Sequence, residues 1–170
     1  MTYSLGLDVG ATNLRCALAE EGERIAQVSR PTPQGPTVEA FTDGIGAAIA
    51  ATLDAAGVTP GQVEAAAIAS FGPLDTDAGL IRRTPNLDAD LQDIPIRATV
   101  ERRLPDVPVR LCNDATAGVI AEYCEGEPAE HLAYVTLSTG VGAGAIVDGR
   151  PLGGHRGNAA EMGHVVVEPG

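Results

Sequence analysis

The sequence predicts an α/β fold with a mixed sheet, and three observations carry that prediction. Three short apolar runs open the chain, and the connections between them are too short for a strand-helix-strand crossover. Helical and strand periodicities then alternate, giving the order β-β-β-α-β-α-β-α. The chain has 170 residues, 44% of them hydrophobic, which is enough to bury a core.

The first strands are expected at Ser4 to Asp8, Leu14 to Ala19 and Arg24 to Ser29, parted by Val9-Gly10-Ala11-Thr12-Asn13 and by Glu21-Gly22-Glu23. A proline-rich polar loop, Pro31 to Pro36, follows. Phe41, Ile45, Ile49 and Leu53 then recur every four residues behind Val38, forming one face of a helix that ends near Gly57. Val63 to Ser70 reads as a buried strand running into the turn Phe71-Gly72-Pro73. Ile96, Val100 and Leu104 mark a second helix, opened near Asp93 and Pro95. Val109 to Cys112 is a further strand. Asp114 to Cys124 is expected to be helical, with Ala117, Ile120 and Tyr123 on its apolar side.

Gly126 to Glu130 is a charged break, so residues 1–125 are expected to form one domain and 126–170 the start of another. In the second unit, Leu132 to Ser138 and Gly144 to Asp148 read as a hairpin, followed by a loop and a strand at His164 to Glu168. The chain stops at Gly170, before any helix that covers this second sheet, so the second unit reads as incomplete.

Composition removes several functions. The net charge is −12, from 23 acidic and 11 basic residues, and every basic residue is arginine. An acidic chain with no basic cluster does not suit nucleic acid. No apolar stretch reaches the roughly 18 residues of a membrane span, and the N-terminus has no secretory leader pattern. Three cysteines, Cys16, Cys112 and Cys124, form no CxxC pair and indicate a reduced, cytoplasmic setting. A GC-rich genome explains the absent lysine; a salt-loving cytoplasm also explains the excess carboxylates, and is the expectation here.

Chemistry concentrates in the turns. Asp8-Val9-Gly10-Ala11-Thr12-Asn13 is either an ordinary hairpin turn or a phosphate cradle, whose small residues admit an anion to the backbone N–H groups while the carboxylate meets Mg²⁺. Thr139-Gly140-Val141-Gly142-Ala143-Gly144 has the same two readings. Two such turns, each after an apolar strand, make a pair able to clamp one triphosphate. Asn113-Asp114, between a strand and a helix, is a good N-cap. The same position suits a carboxylate that takes a proton from a sugar hydroxyl. Glu161 and His164, three apart, suit hydroxyl contacts or metal ligation by the histidine.

Along nearly the whole chain, LGLDVGATNLRCAL, FGPLD, TPNL, NDATAGVIAEY, LSTGVGAGAIVDG and GHRGNAAEMGH occur in order. With these strings the sequence resembles the ROK family (repressor, open reading frame, kinase), particularly its glucokinase-like sugar kinases. The resemblance implies an actin-like ATPase fold of two ribonuclease H-like domains, the first complete here and the second partial. It implies ATP-dependent phosphorylation of a hexose, glucose at its 6-hydroxyl, with Mg²⁺ and with polyphosphate as an alternative donor. Asp8, Gly10 and Thr12, with Asn13 beside them, would form the first phosphate motif, and Asp8 would meet Mg²⁺ directly or through water. Thr139, Gly140, Gly142 and Gly144 would form the second. Asp114 would be the general base; Asn113, Glu161 and His164 would contact sugar hydroxyls, with Gly72 and Asn86 lining the pocket.

The chain departs from the family pattern at Ala11, Asn13 and Ala160, the last in place of a frequent glycine. The family's structural zinc would engage His164, but its cysteine ligands lie in a part absent here. The expected partners are a small sugar and further copies of the chain. An incomplete kinase and a sugar-sensing regulator are the alternatives; the regulators carry a helix-turn-helix ahead of the first motif, for which Asp8 leaves no room.

Overall fold

The computed structural model describes residues 1–85, 87–137, 140–166 and 168. Strands β1 (Tyr3–Val9), β2 (Asn13–Glu20) and β3 (Glu23–Pro31) form an antiparallel meander, as their short connections dictate. Helix α1 (Val38–Ala56) then carries the chain to β4 (Val63–Ser70), which pairs parallel to β1. Helix α2 (Ile96–Arg103) leads to β8 (Val109–Asn113), parallel to β4. The sheet order is β3-β2-β1-β4-β8, a mixed sheet with its parallel strands together at one side.

One face of this sheet makes the core. Leu5, Leu7 and Val9 of β1 alternate inward and meet Phe41, Ile45, Ile49 and Leu53 of α1, Ile96 and Val100 of α2, and Leu104 at its C-cap, all at most 4% exposed. Each such side chain contributes about 1.5–3 kcal/mol by leaving water. Thr37 caps α1, its hydroxyl accepting the Ala40 N–H at 3.1 Å. Gly57 ends the helix in the left-handed region, at φ 66°.

Three short strands were not expected from the sequence. β5 (Leu74–Asp75), β6 (Leu80–Arg83) and β7 (Gln92–Ile94) form a separate antiparallel sheet between β4 and α2. Arg82 bridges Asp75 and Asp93, and Arg83 pairs with Asp90. Ion pairs therefore tie together strands too short to show a period.

Helix α3 (Asp114–Glu125) packs on the third sheet, ordered β11-β10-β9, from β9 (Leu132–Leu137), β10 (Val141–Val147) and β11 (Arg150–Pro151). Its buried residues are Ala115 and Val119, whereas Ala117, Ile120 and Tyr123 are only half-buried. The expected apolar face is thus displaced, because the helix turns its small side toward the glycines of β10. β10 begins at Val141 rather than Gly144, so Gly142 and Gly144 lie inside a strand and Gly140 just ahead of it.

The strand expected at His164–Glu168 does not begin as one. Met162–His164 is a 3₁₀ turn in which the N–H of His164 bonds the Glu161 carbonyl and that of Val165 bonds Met162, both at 3.1 Å. Val165 and Val166 follow outside any strand, and Val167 lies outside the described residues. Among the described residues, no helix is long and apolar enough to cross a membrane.

Candidate functional site

The register places the site. Asp8 pairs with Ala69 and Ala69 with Cys112, while Val9, Ser70 and Asn113 form the next row. β1, β4 and β8 therefore end level, and the turns after them leave the sheet at one edge. At about 4.8 Å per strand, β1 and β8 stand roughly 10 Å apart there. The carboxyl edge of parallel strands is where open α/β sheets receive ligands.

The first turn is Gly10–Thr12. The Gly10 N–H bonds the Asn13 carbonyl at 3.0 Å, and a Cβ on Gly10 would stand 3.0 Å from that oxygen, so a side chain is disfavoured. Thr12 and Asn13 are exposed at the tip. The Asp8 Oδ2 accepts from Arg15 Nη1 at 2.9 Å across the β1–β2 pair, and both side chains are about half exposed. One carboxylate oxygen, Oδ1, is left for a cation.

At the end of β8, Asn113 is the N-cap of α3, its Oδ1 accepting the Ala115 N–H at 2.9 Å. The Asp114 Oδ1 accepts the same N–H at 2.7 Å. Capping and an outward carboxylate coexist, since Asp114 is exposed. Beneath it, burial pushes the Cys112 thiol above its ordinary pKa, and the Asp114 charge adds to that shift. Gly72 faces this corner: a Cβ there would lie 3.8 Å from Asn113 Nδ2.

One contact brings residues 126–170 to the same corner, and a second seats their last loop on β10. The Asn158 side chain takes both backbone groups of Leu74, accepting from its N–H at 3.3 Å and donating to its carbonyl at 2.9 Å. Asn158 thereby acts as a strand partner two residues beyond Gly72, a role sequence reasoning missed; its place in GHRGNAAEMGH was the available signal. Gly163 lies against β10, where a Cβ would come 2.2 Å from the Val141 carbonyl oxygen. This sets Glu161 and His164 beside the start of β10, with His164 Nε2 3.9 Å from Glu161 Oε2 and His164 85% exposed.

The glycines of the second motif divide. Gly140 is open, with no described atom within 4 Å of its Cβ position. Gly142 faces Ala115, 3.4 Å from Cβ to Cβ. Gly144 is pressed onto α3, where a Cβ would stand 2.4 Å from the Ala115 carbonyl oxygen. Helix packing alone thus accounts for a glycine at 144. Thr139 and Asn86 lie outside the described residues.

A Mg²⁺ held chiefly by phosphate oxygens needs only one or two carboxylates, which Asp8 satisfies. Zinc needs three or four ligands, and among the described residues no group of three His, Cys, Asp or Glu side chains could hold a metal. Among the described residues, His164 therefore does not fit a zinc site. A shallow concavity of about 600 Å³ lies at the far end of α3, lined by Tyr123, Pro128, Glu130 and Asp148, and contains none of the residues above.

The chain is similar to known sugar kinases in sequence and in structure. A glucokinase from Aeropyrum pernix is 37% identical over 172 residues, covering 100% of this chain and 51% of its own length. An N-acetylmannosamine kinase from Escherichia coli (strain SMS-3-5 / SECEC) is 36% identical over 171 residues, covering 98% of this chain and 55% of its own. The crystal structure of a ROK family glucokinase from Streptomyces griseus, in complex with glucose and AMPPNP, is 32% identical and superimposes with a TM-score of 0.81 over 98% of this chain and 51% of that one. The chain spans about half the length of the curated relatives it matches, and it has the α/β architecture of the actin-like ATPase fold. With the ROK family matched over residues 4–170, the chain belongs to that family.

Proposed function

We propose that this chain forms the phosphate- and sugar-binding part of an ATP-dependent hexose kinase, acting on glucose at the 6-hydroxyl with Asp114 as general base. The observation that carries the reading is the exposed Asp114 carboxylate at the start of α3, beside Gly72 and Asn113 at the carboxyl edge of the sheet. The names of the relatives, glucokinase and N-acetylmannosamine kinase, and the glucose and AMPPNP held by the Streptomyces protein support it.

Asp114 Oδ1 is occupied by the Ala115 N–H, so Oδ2 takes the proton as the sugar oxygen attacks the terminal phosphorus. Asn113, Glu161 and His164 orient the sugar, and Gly72 lets it approach. The turn at Gly10–Asn13 and the run from Thr139 through Gly140 and Gly142 hold the phosphates. Gly144 acts indirectly, by letting α3 seat against β10. Asp8 would hold Mg²⁺ together with the phosphates, and the ion would supply charge neutralisation of the transferred group. Positioning is the remaining contribution, as phosphoryl transfer requires. The division into 1–125 and 126–170 and a cytoplasmic setting belong to the same reading.

Phosphorus NMR of the chain with glucose and Mg-ATP tests it. A sugar phosphomonoester should appear in step with ADP. ATP loss as inorganic phosphate alone overturns the proposal.

A further inference from the structure

The segment between β3 and α1 holds the first phosphate turn from behind. Three successive carbonyls of that turn are taken up by two residues. The Thr32 hydroxyl donates to the Gly10 carbonyl at 2.6 Å, Gln34 Nε2 donates to the Ala11 carbonyl at 3.2 Å, and the Thr32 N–H donates to the Thr12 carbonyl at 2.9 Å. Thr32 is 1% exposed, so its hydroxyl is committed to this bond. Gln34 is fixed in turn by accepting the Asp88 N–H at 3.0 Å and donating to the Thr32 carbonyl at 3.2 Å. The segment is wedged onto α1, where a Cβ on Gly44 would lie 2.3 Å from the Pro33 ring and one on Gly35 2.6 Å from Ala40 Cβ.

A trans peptide is planar, and its C=O and N–H point opposite ways. Fixing the carbonyls of Gly10, Ala11 and Thr12 toward residues 32–34 therefore turns the N–H groups of Ala11, Thr12 and Asn13 to the other side. Among the described residues, the Ala11 and Thr12 N–H groups have no partner. Successive free N–H groups on one side of a turn make an anion-binding concavity.

We propose that Thr32 and Gln34 are positioning residues for phosphate binding, presenting the backbone N–H groups of residues 11–13 to a polyphosphate. The inference rests on the reading of Gly10–Asn13 as a phosphate turn. The clamp is formed before ligand arrives, so its cost is met in folding and the affinity gain appears in the phosphate complex. Removing the Thr32 hydroxyl frees the first peptide plane while leaving the side-chain shape.

Amide NMR titration of the chain with Mg-ATP and with inorganic tripolyphosphate tests this, using thermal unfolding as the control. In the unsubstituted protein both ligands should shift the Ala11 and Thr12 signals. Thr32→Val should weaken both affinities about tenfold, the worth of one well-placed hydrogen bond. Thr32→Ser, which restores the donor, should recover them to within about twofold. Unchanged affinity in Thr32→Val overturns the inference and leaves the phosphate turn standing. No ligand shift at residues 11–13 in the unsubstituted chain overturns both. Should Thr32→Val not fold, Gln34→Ala, at an exposed position, carries the test: a loss of about threefold supports the clamp, and wild-type affinity refutes it.

Discussion

Gly144→Ala separates a packing role from a phosphate role. The added methyl would stand 2.4 Å from the Ala115 carbonyl oxygen and 2.9 Å from both the Ala115 carbonyl carbon and Val119 Cγ1. Ordinary contact begins near 3.4 Å, so α3 and β10 must part by about 1 Å. None of the three atoms is the far end of a flexible side chain, so no rotamer relieves the clash. Overpacking of this kind costs about 1–3 kcal/mol. At roughly 2–4 °C per kcal/mol for a protein of this size, the Tm should fall by about 2–12 °C. The same shift moves Asp114 at the head of α3, and a displacement of about 1 Å costs on the order of a hundredfold in turnover. Thermal unfolding followed by circular dichroism reads the first effect, with Gly140→Ala, at the open position, as the near-neutral control. A Gly144→Ala protein melting within about 1 °C of the original would refute the packing argument.

Two glycines of α1 should respond oppositely to the same change. At Gly46 the atoms nearest the added methyl are the movable end of Arg103, so Gly46→Ala should stabilise by up to about 1 kcal/mol through helix propensity. At Gly44 it meets the rigid Pro33 ring, so Gly44→Ala should destabilise; urea midpoints with the same sign would contradict this. Ala160 sits at φ 61°, where an L side chain costs about 1–2 kcal/mol, so Ala160→Gly should raise stability, and a lower Tm would count against that strain. Burial pushes the Cys16 and Cys112 thiols above their ordinary pKa, so the folded chain holds these protons more tightly than the unfolded one. That stabilisation is full below the unfolded thiol pKa of about 8.5 and is lost as pH rises beyond it. The urea midpoint should therefore fall as pH rises above about 8.5, and a flat profile would show the thiols uncoupled from folding.

The central sheet and α1 were legible because their side chains repeat at the period of the element. Leu5, Leu7 and Val9 alternate, and Phe41, Ile45, Ile49 and Leu53 recur by fours, and all are buried. β5, β6 and β7 were not, since strands of two to four residues have no period and rest on Arg82 and Arg83 finding Asp75, Asp93 and Asp90. The buried side of α3 was misread because Gly142 and Gly144 contribute no hydrophobic signal, yet they choose Ala115 and Val119 as the contact face. Asn113-Asp114 was legible as a position but not as a choice between cap and base, and the structure shows why: both side chains accept the Ala115 N–H while Asp114 stays exposed. Thr32 and Gln34 gave no signal at all. Their work lies in bonds to carbonyls 22 and 23 residues away, which only the folded meander brings near.

Asp114→Asn puts the account to its most direct trial. Asparagine retains an oxygen for the Ala115 N–H, so the cap survives and the Tm should stay within about 2 °C. It cannot accept the hydroxyl proton, so glucose-dependent ADP release should fall by at least about a hundredfold. Loss of turnover at unchanged Tm is the predicted result. Near-original turnover in the folded variant would leave Asp114 a helix cap and nothing more.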